Sequence, residues 1–193
     1  MNTAHHSPAL QALRAATRQR HAALDATLPI AAEDAGKAEY APYVAAMWGW
    51  LSGFEQHLWQ QDWPATIDAT ARDGKRCWLE ADLQAAGLDP ADLPRWQSTL
   101  PLDTVAHRYG VAYVIEGAQL GGSVLARRLE SRLAPWPMRW LRGYGDATGA
   151  NWRAFLEHLQ RDVSTPLQIE AAAHGACLAF DTLSSWFAAR GIA

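Results

Sequence analysis

The 193-residue chain is expected to fold as an all-α, single-domain multi-helix bundle. Apolar residues recur at three- and four-residue spacing through almost the whole chain, the signature of amphipathic helices. Runs of β-branched residues with period two, which would signal strands, are missing. Pro29, Pro64, Pro90, Pro94, Pro101, Pro135, Pro137 and Pro166 fall between the periodic segments, where a helix ends or begins.

These patterns place helices near residues 8–28, 38–61, 75–86, 102–133, 146–161 and 167–190. Ser7-Pro8 and Thr165-Pro166 each pair an N-cap side chain with a proline in the first turn. Residues 143–149, from Gly143 to Gly149, form a loop leading into the fifth helix. The first residues, about 1–8, including His5 and His6, are expected to be disordered, and the remainder of 1–193 to form one domain. No repeat, low-complexity tract or long linker divides it.

Composition narrows the class. Apolar residues make up 49% and charged residues 19%, as in ordinary globular proteins, and the net charge of −3 gives no reason to expect nucleic acid as a partner. No run approaches the roughly 18 consecutive apolar residues of a membrane span, and residues 1–9 lack the basic and apolar parts of a secretory signal, so a cytoplasmic location is expected. Cys77 and Cys177 are expected to be reduced, packed thiols, and the ten scattered tryptophans to fill helix contacts.

Two features ask for more than packing. Gly117, Gly121 and Gly122 lie inside one helical segment, where three interior glycines together cost on the order of 2–3 kcal/mol. Something must approach that backbone closely. On the first helix, Leu10, Arg14, Thr17, His21, Leu24 and Leu28 fall within about 60° of one direction, which puts His21 on the expected buried stripe. Arg14 and Arg18 accompany it. An imidazole flanked by guanidinium groups suits a metal held over a pocket whose ligand also carries carboxylates, while a plain core histidine fits the same pattern. His57, His107, His158 and His174 stand singly, and Glu170 with His174 lacks the second Glu–His pair that a dinuclear centre requires.

The stretch Leu13-Arg14-Ala15-Ala16-Thr17-Arg18-Gln19-Arg20-His21-Ala22-Ala23-Leu24-Asp25, with Glu116-Gly117-Ala118-Gln119-Leu120-Gly121-Gly122-Ser123 about ninety residues later, resembles the haem oxygenase family, especially its bacterial members. The resemblance implies a haem held between a proximal and a distal helix, with His21 as the axial iron ligand and Gly117, Gly121 and Gly122 over the distal face. It implies that haem is both substrate and cofactor, opened to biliverdin, CO and Fe²⁺ with O₂ and electrons from an external reductase or ferredoxin. A bilin-accepting protein is an implied partner. Arg14 and Arg18 are implied propionate contacts, Arg153 is a further candidate, and Thr17 and Tyr113 complete the expected haem lining.

Two departures from the family pattern stand out. The basic residue expected one turn beyond Arg153 is replaced by Glu157 and His158, and the aspartate that often follows the first distal glycine is Ala118. Tyr113 or Gln119, with water, would then have to serve bound O₂. Beside the enzyme reading stand a non-catalytic haem- or bilin-binding protein of the same fold and a bundle holding a different ligand or dinuclear metal.

Overall fold

The computed structural model describes residues 7–192, and every regular element among them is helical. Residues 1–6, with His5 and His6, lie outside the described residues, as does Ala193. Ser7 and Pro8 do not join the expected disorder: Ser7 Oγ accepts from the Leu10 amide and Pro8 opens helix α1 (Pro8–Thr27).

Next come α2 (Lys37–Leu51) and the short α3 (Glu55–Trp59). The sequence predicts one helix over 38–61; the structure breaks it at Ser52–Phe54. Periodicity continues across the break because both pieces bury an apolar face. The break follows from packing of the chain at 94–96: a Cβ on Gly49 would stand 2.5 Å from the Pro94 carbonyl, and one on Gly53 2.5 Å from the Trp96 carbonyl. The Trp96 amide donates to the Gly49 carbonyl at 2.9 Å, so a crossing strand of backbone takes a helical carbonyl for itself.

Helices α4 (Ala69–Arg72) and α5 (Lys75–Ala85) precede the long α6 (Val105–Leu133), which runs through all three glycines without interruption. Then α7 (Arg139–Arg142), α8 (Thr148–Asp162) and α9 (Pro166–Ala188) complete the bundle. Asp82 starts α7: its carboxylate accepts from the Arg139 and Trp140 amides at 2.7 and 2.9 Å and from the Tyr40 hydroxyl at 2.5 Å. Thr165 and Gln168 form the capping box of α9.

Helix α9 is the spine, packing extensively against both α6 and α1. Its contact with α6 is made of small residues. A Cβ on Gly110 would stand 2.0 Å from the Ala172 carbonyl, and one on Gly175 2.6 Å from the His107 carbonyl, so the two backbones touch. Arg20 joins α1 to α9 by a two-pronged pair with Asp181, at 2.7 and 3.0 Å. Helices α1 and α6, each fixed to α9, do not pack face to face with one another.

The tryptophans pack as expected: Trp48, Trp50, Trp59, Trp63, Trp96 and Trp140 are buried and the other four pack against the core. Cys77 is exposed, contrary to the packed thiol expected there, while Cys177 is partly buried against the Ala16 carbonyl.

Candidate functional site

The site is the space that α1 and α6 leave between them. At one end Tyr113 of α6 reaches Thr17 and Arg14 of α1, and burial holds its phenol above the usual range despite those partners. Toward the other end, Arg128 of α6 donates to the Ile30 and Ala31 carbonyls just beyond α1, at 2.8 and 3.0 Å. The two helices are thus bridged at two levels, with His21 on one side and Gly117 and Gly121 on the other at intermediate positions along their helices.

His21 does not lie on a closed core stripe. Leu10, Leu13, Thr17 and Leu24 are buried, whereas the His21 side chain is 61% exposed and Arg14 and Arg18 are exposed. The stripe splits because α9 covers only part of it. Phe180 of α9 sets its ring edgewise to the imidazole, 5.7 Å between centroids. Asp25, one turn on, places Oδ2 2.8 Å from His21 Nδ1. That partner holds the ring's orientation and favours the tautomer with its proton on Nδ1, which leaves a lone pair on Nε2. Sequence reasoning missed Asp25, although an acid four residues after a candidate ligand histidine is a legible signal.

Across the space, α6 presents bare backbone. A Cβ on Gly121 would meet nothing within 4 Å, and one on Gly117 would meet only the Trp152 ring, at 3.7 Å. Val124, on the same face one to two turns along, is 60% exposed. This face of α6 is therefore poor in side chains, with space a flat ligand could occupy. Gly122 serves otherwise: its Cβ would stand 3.0 Å from the Leu141 carbonyl, so it lets α7 pack against the back of α6. Gln119 also faces away, buried against Gly143, where a Cβ would collide with its amide oxygen. Neither residue belongs to the open face, because helical geometry turns them about 140° and 200° from Gly117.

Behind the glycines lies a buried charge cluster that the sequence did not reveal. Glu116, adjacent to Gly117, receives Arg72 at 2.9 Å and Lys75 at 2.8 Å, with the Tyr144 hydroxyl donating at 3.1 Å. All three charged side chains are almost fully enclosed. Lys75 Nζ also lies 5.2–5.8 Å from the ring centres of Trp59, Trp78 and Tyr144. Glu55 caps the start of α5 through the Lys75 and Arg76 amides, and burial raises its carboxyl. The cluster fixes the distal backbone from behind.

Arg153 is exposed on α8, next to Trp152. His107 and His174, read as isolated, bring their rings to 5.7 Å across the α6–α9 crossing. Among the described residues, however, no group of three or more His, Cys, Asp or Glu could hold a metal ion. No described helix is long and apolar enough to cross a membrane.

Fold and site together define a helical bundle in which an accessible histidine on α1 and a glycine-bearing helix, α6, are bridged at two levels. Comparison with known proteins gives the class its family: a sequence profile described as "Heme oxygenase" matches residues 7–189, and the chain belongs to the haem oxygenase family. It is 36% identical over 117 residues to a protein named "Heme oxygenase" from Xanthomonas campestris pv. campestris (strain 8004), an alignment spanning 58% of this chain and 66% of that relative's length. Its fold is similar to that of the haem oxygenase from Neisseria meningitidis solved with NO and CO bound, with a TM-score of 0.76 and 21% identity over 97% of this chain and 94% of that one.

Proposed function

We propose that the protein is a haem oxygenase that opens haem oxidatively to biliverdin, CO and Fe²⁺, using O₂ and electrons from an external reductase or ferredoxin. The observation that carries the reading is the pairing of an oriented, accessible imidazole, His21 on Asp25, with the bare backbone at Gly117 and Gly121.

When bound, haem iron supplies the O₂-binding and redox chemistry. His21 would hold the iron through Nε2, with the Asp25 carboxylate taking the Nδ1 hydrogen bond and fixing the ring's orientation. Gly117 and Gly121 would offer the macrocycle a helix face free of side chains, with room for a small ligand. Arg14 and Arg18 offer guanidinium groups to the carboxylates of the macrocycle from α1, and Arg153 does so from α8. Tyr113, between Arg14, Thr17 and Trp152, closes one end of the slot.

With Ala118 aliphatic and Gln119 turned away, no side chain of either offers a donor on this face, and water would have to serve bound O₂. That favours one second reading, a protein of this fold that binds haem or a bilin without opening it. Hemin titration tests ligation: wild-type protein is expected to give a Soret band that shifts or collapses in His21→Ala and returns on adding imidazole. A band unchanged by His21→Ala would overturn the assignment.

A further inference from the structure

A line of aromatic rings leaves the slot at Gly117 and runs into the protein. The Trp152 ring lies against Gly117. It stacks on Phe155 at 5.7 Å between centroids and 16° between planes, and Phe155 lies 5.7 Å from Tyr109. Tyr109 continues to Trp63 at 5.0 Å, and Trp63 stacks on Trp59 at 5.0 Å.

The charges around these rings differ. The Arg108 guanidinium lies over Trp63 at 5.8 Å, Lys75 Nζ over Trp59 at 5.3 Å and the Arg72 guanidinium over Phe155 at 5.5 Å, so a further positive charge on any of these three rings is disfavoured and Phe155 serves only as a bridge between Trp152 and Tyr109. Tyr109 instead donates its hydroxyl to Asp162 Oδ2 at 2.6 Å, while Arg161 holds the other carboxylate oxygen at 3.0 Å. Burial and the carboxylate keep the phenol protonated at rest. Tyr113 sits nearer the slot, but its neighbours are Arg14 and Thr17, neither of which can take up a proton.

We infer that Tyr109, reached through Trp152 and Phe155 and paired with Asp162, is a proton-coupled oxidation site that drains stray oxidising equivalents from the haem slot. The inference rests on the haem reading above. Hydrogen peroxide meeting bound haem in the absence of reductant would be reduced to two waters by two electrons, with two protons from solvent, one electron coming from the haem and one from Tyr109 by way of Trp152. The Tyr109 phenol proton passes to Asp162, leaving a neutral tyrosyl radical. When the external reductant is next supplied, one electron restores the phenol, which takes its proton back from Asp162, and a second electron restores the haem. The rings thereby spare the haem slot from uncontrolled oxidation.

Freeze-quench electron paramagnetic resonance on haem-loaded protein mixed with hydrogen peroxide tests this. Wild type and Tyr113→Phe are expected to give a tyrosyl signal. Tyr109→Phe is expected to lose it, and Asp162→Asn and Trp152→Phe to lower its yield several-fold with the Tyr109 ring in place. Peptide mass spectrometry is expected to find oxidation at Tyr109 in wild type. A signal that survives Tyr109→Phe, or disappears in Tyr113→Phe, would overturn the assignment. A normal Soret band with no protein radical would overturn the relay alone, whereas failure to bind hemin would remove it together with the reading on which it rests.

Discussion

Single side chains carry the clearest consequences. Asp25 bonded to His21 Nδ1 means that Asp25→Asn is expected to keep haem bound but lower the iron–histidine stretching frequency in resonance Raman spectra, because the amide makes the ring less basic. His158 gives a pH dependence whose sign can be worked out. Its Nδ1 accepts from Arg161 at 2.6 Å, and burial, then Arg161, holds its pKa below the ordinary histidine value of 6.5. The unfolded chain therefore takes up this proton at higher pH than the folded one, and the contribution present above pH 6.5 is lost as pH falls below it. His158→Gln is expected to flatten the acid-side fall in melting temperature below about pH 6.5. At this scale His21, Arg14 and the distal glycines were legible as residue types at a spacing. Asp25's role depends on a rotamer, and the Trp152–Tyr109 line joins two helices, so neither follows from periodicity.

Among the elements, α6 sets two kinds of glycine side by side. Gly110 meets the Ala172 carbonyl, so Gly110→Ala must push two backbones apart and is expected to destabilise the protein by about 1–3 kcal/mol in denaturant unfolding. Gly121 meets nothing, so Gly121→Ala is expected to leave stability unchanged or raise it by about 0.5–1 kcal/mol while weakening hemin binding. Opposite effects of the two substitutions would separate the structural glycine from the functional one. The run of glycines in α6 announced close approach but not to what: Gly122 answers to α7, whereas Gly117 meets only the Trp152 ring and Gly121 faces open space. Likewise the single helix predicted over 38–61 hid a break, because helical periodicity cannot register a distant segment laid across Gly49 and Gly53.

Over the whole molecule, α9 fixes α1 and α6 while keeping them apart, and the charge cluster on Glu116 anchors the distal helix from the far side. Glu116→Leu would leave Arg72 and Lys75 buried without their acid and is expected to cost about 3–5 kcal/mol, read as a lower denaturation midpoint. The all-α class and five of the six helices were legible from spacing and prolines, since apolar positions at helical spacing mark each of them. The cluster was not, because Glu116, Arg72 and Lys75 are separated in sequence and resemble solvent-facing residues until α4 and α5 fold over α6. The central claim is that this bundle converts haem. It is tested most directly by adding reductant and O₂ to the hemin complex and separating the products by chromatography. The account predicts loss of the Soret band with biliverdin and CO formed in equal amounts; an intact haem recovered after prolonged reduction in O₂ would contradict it.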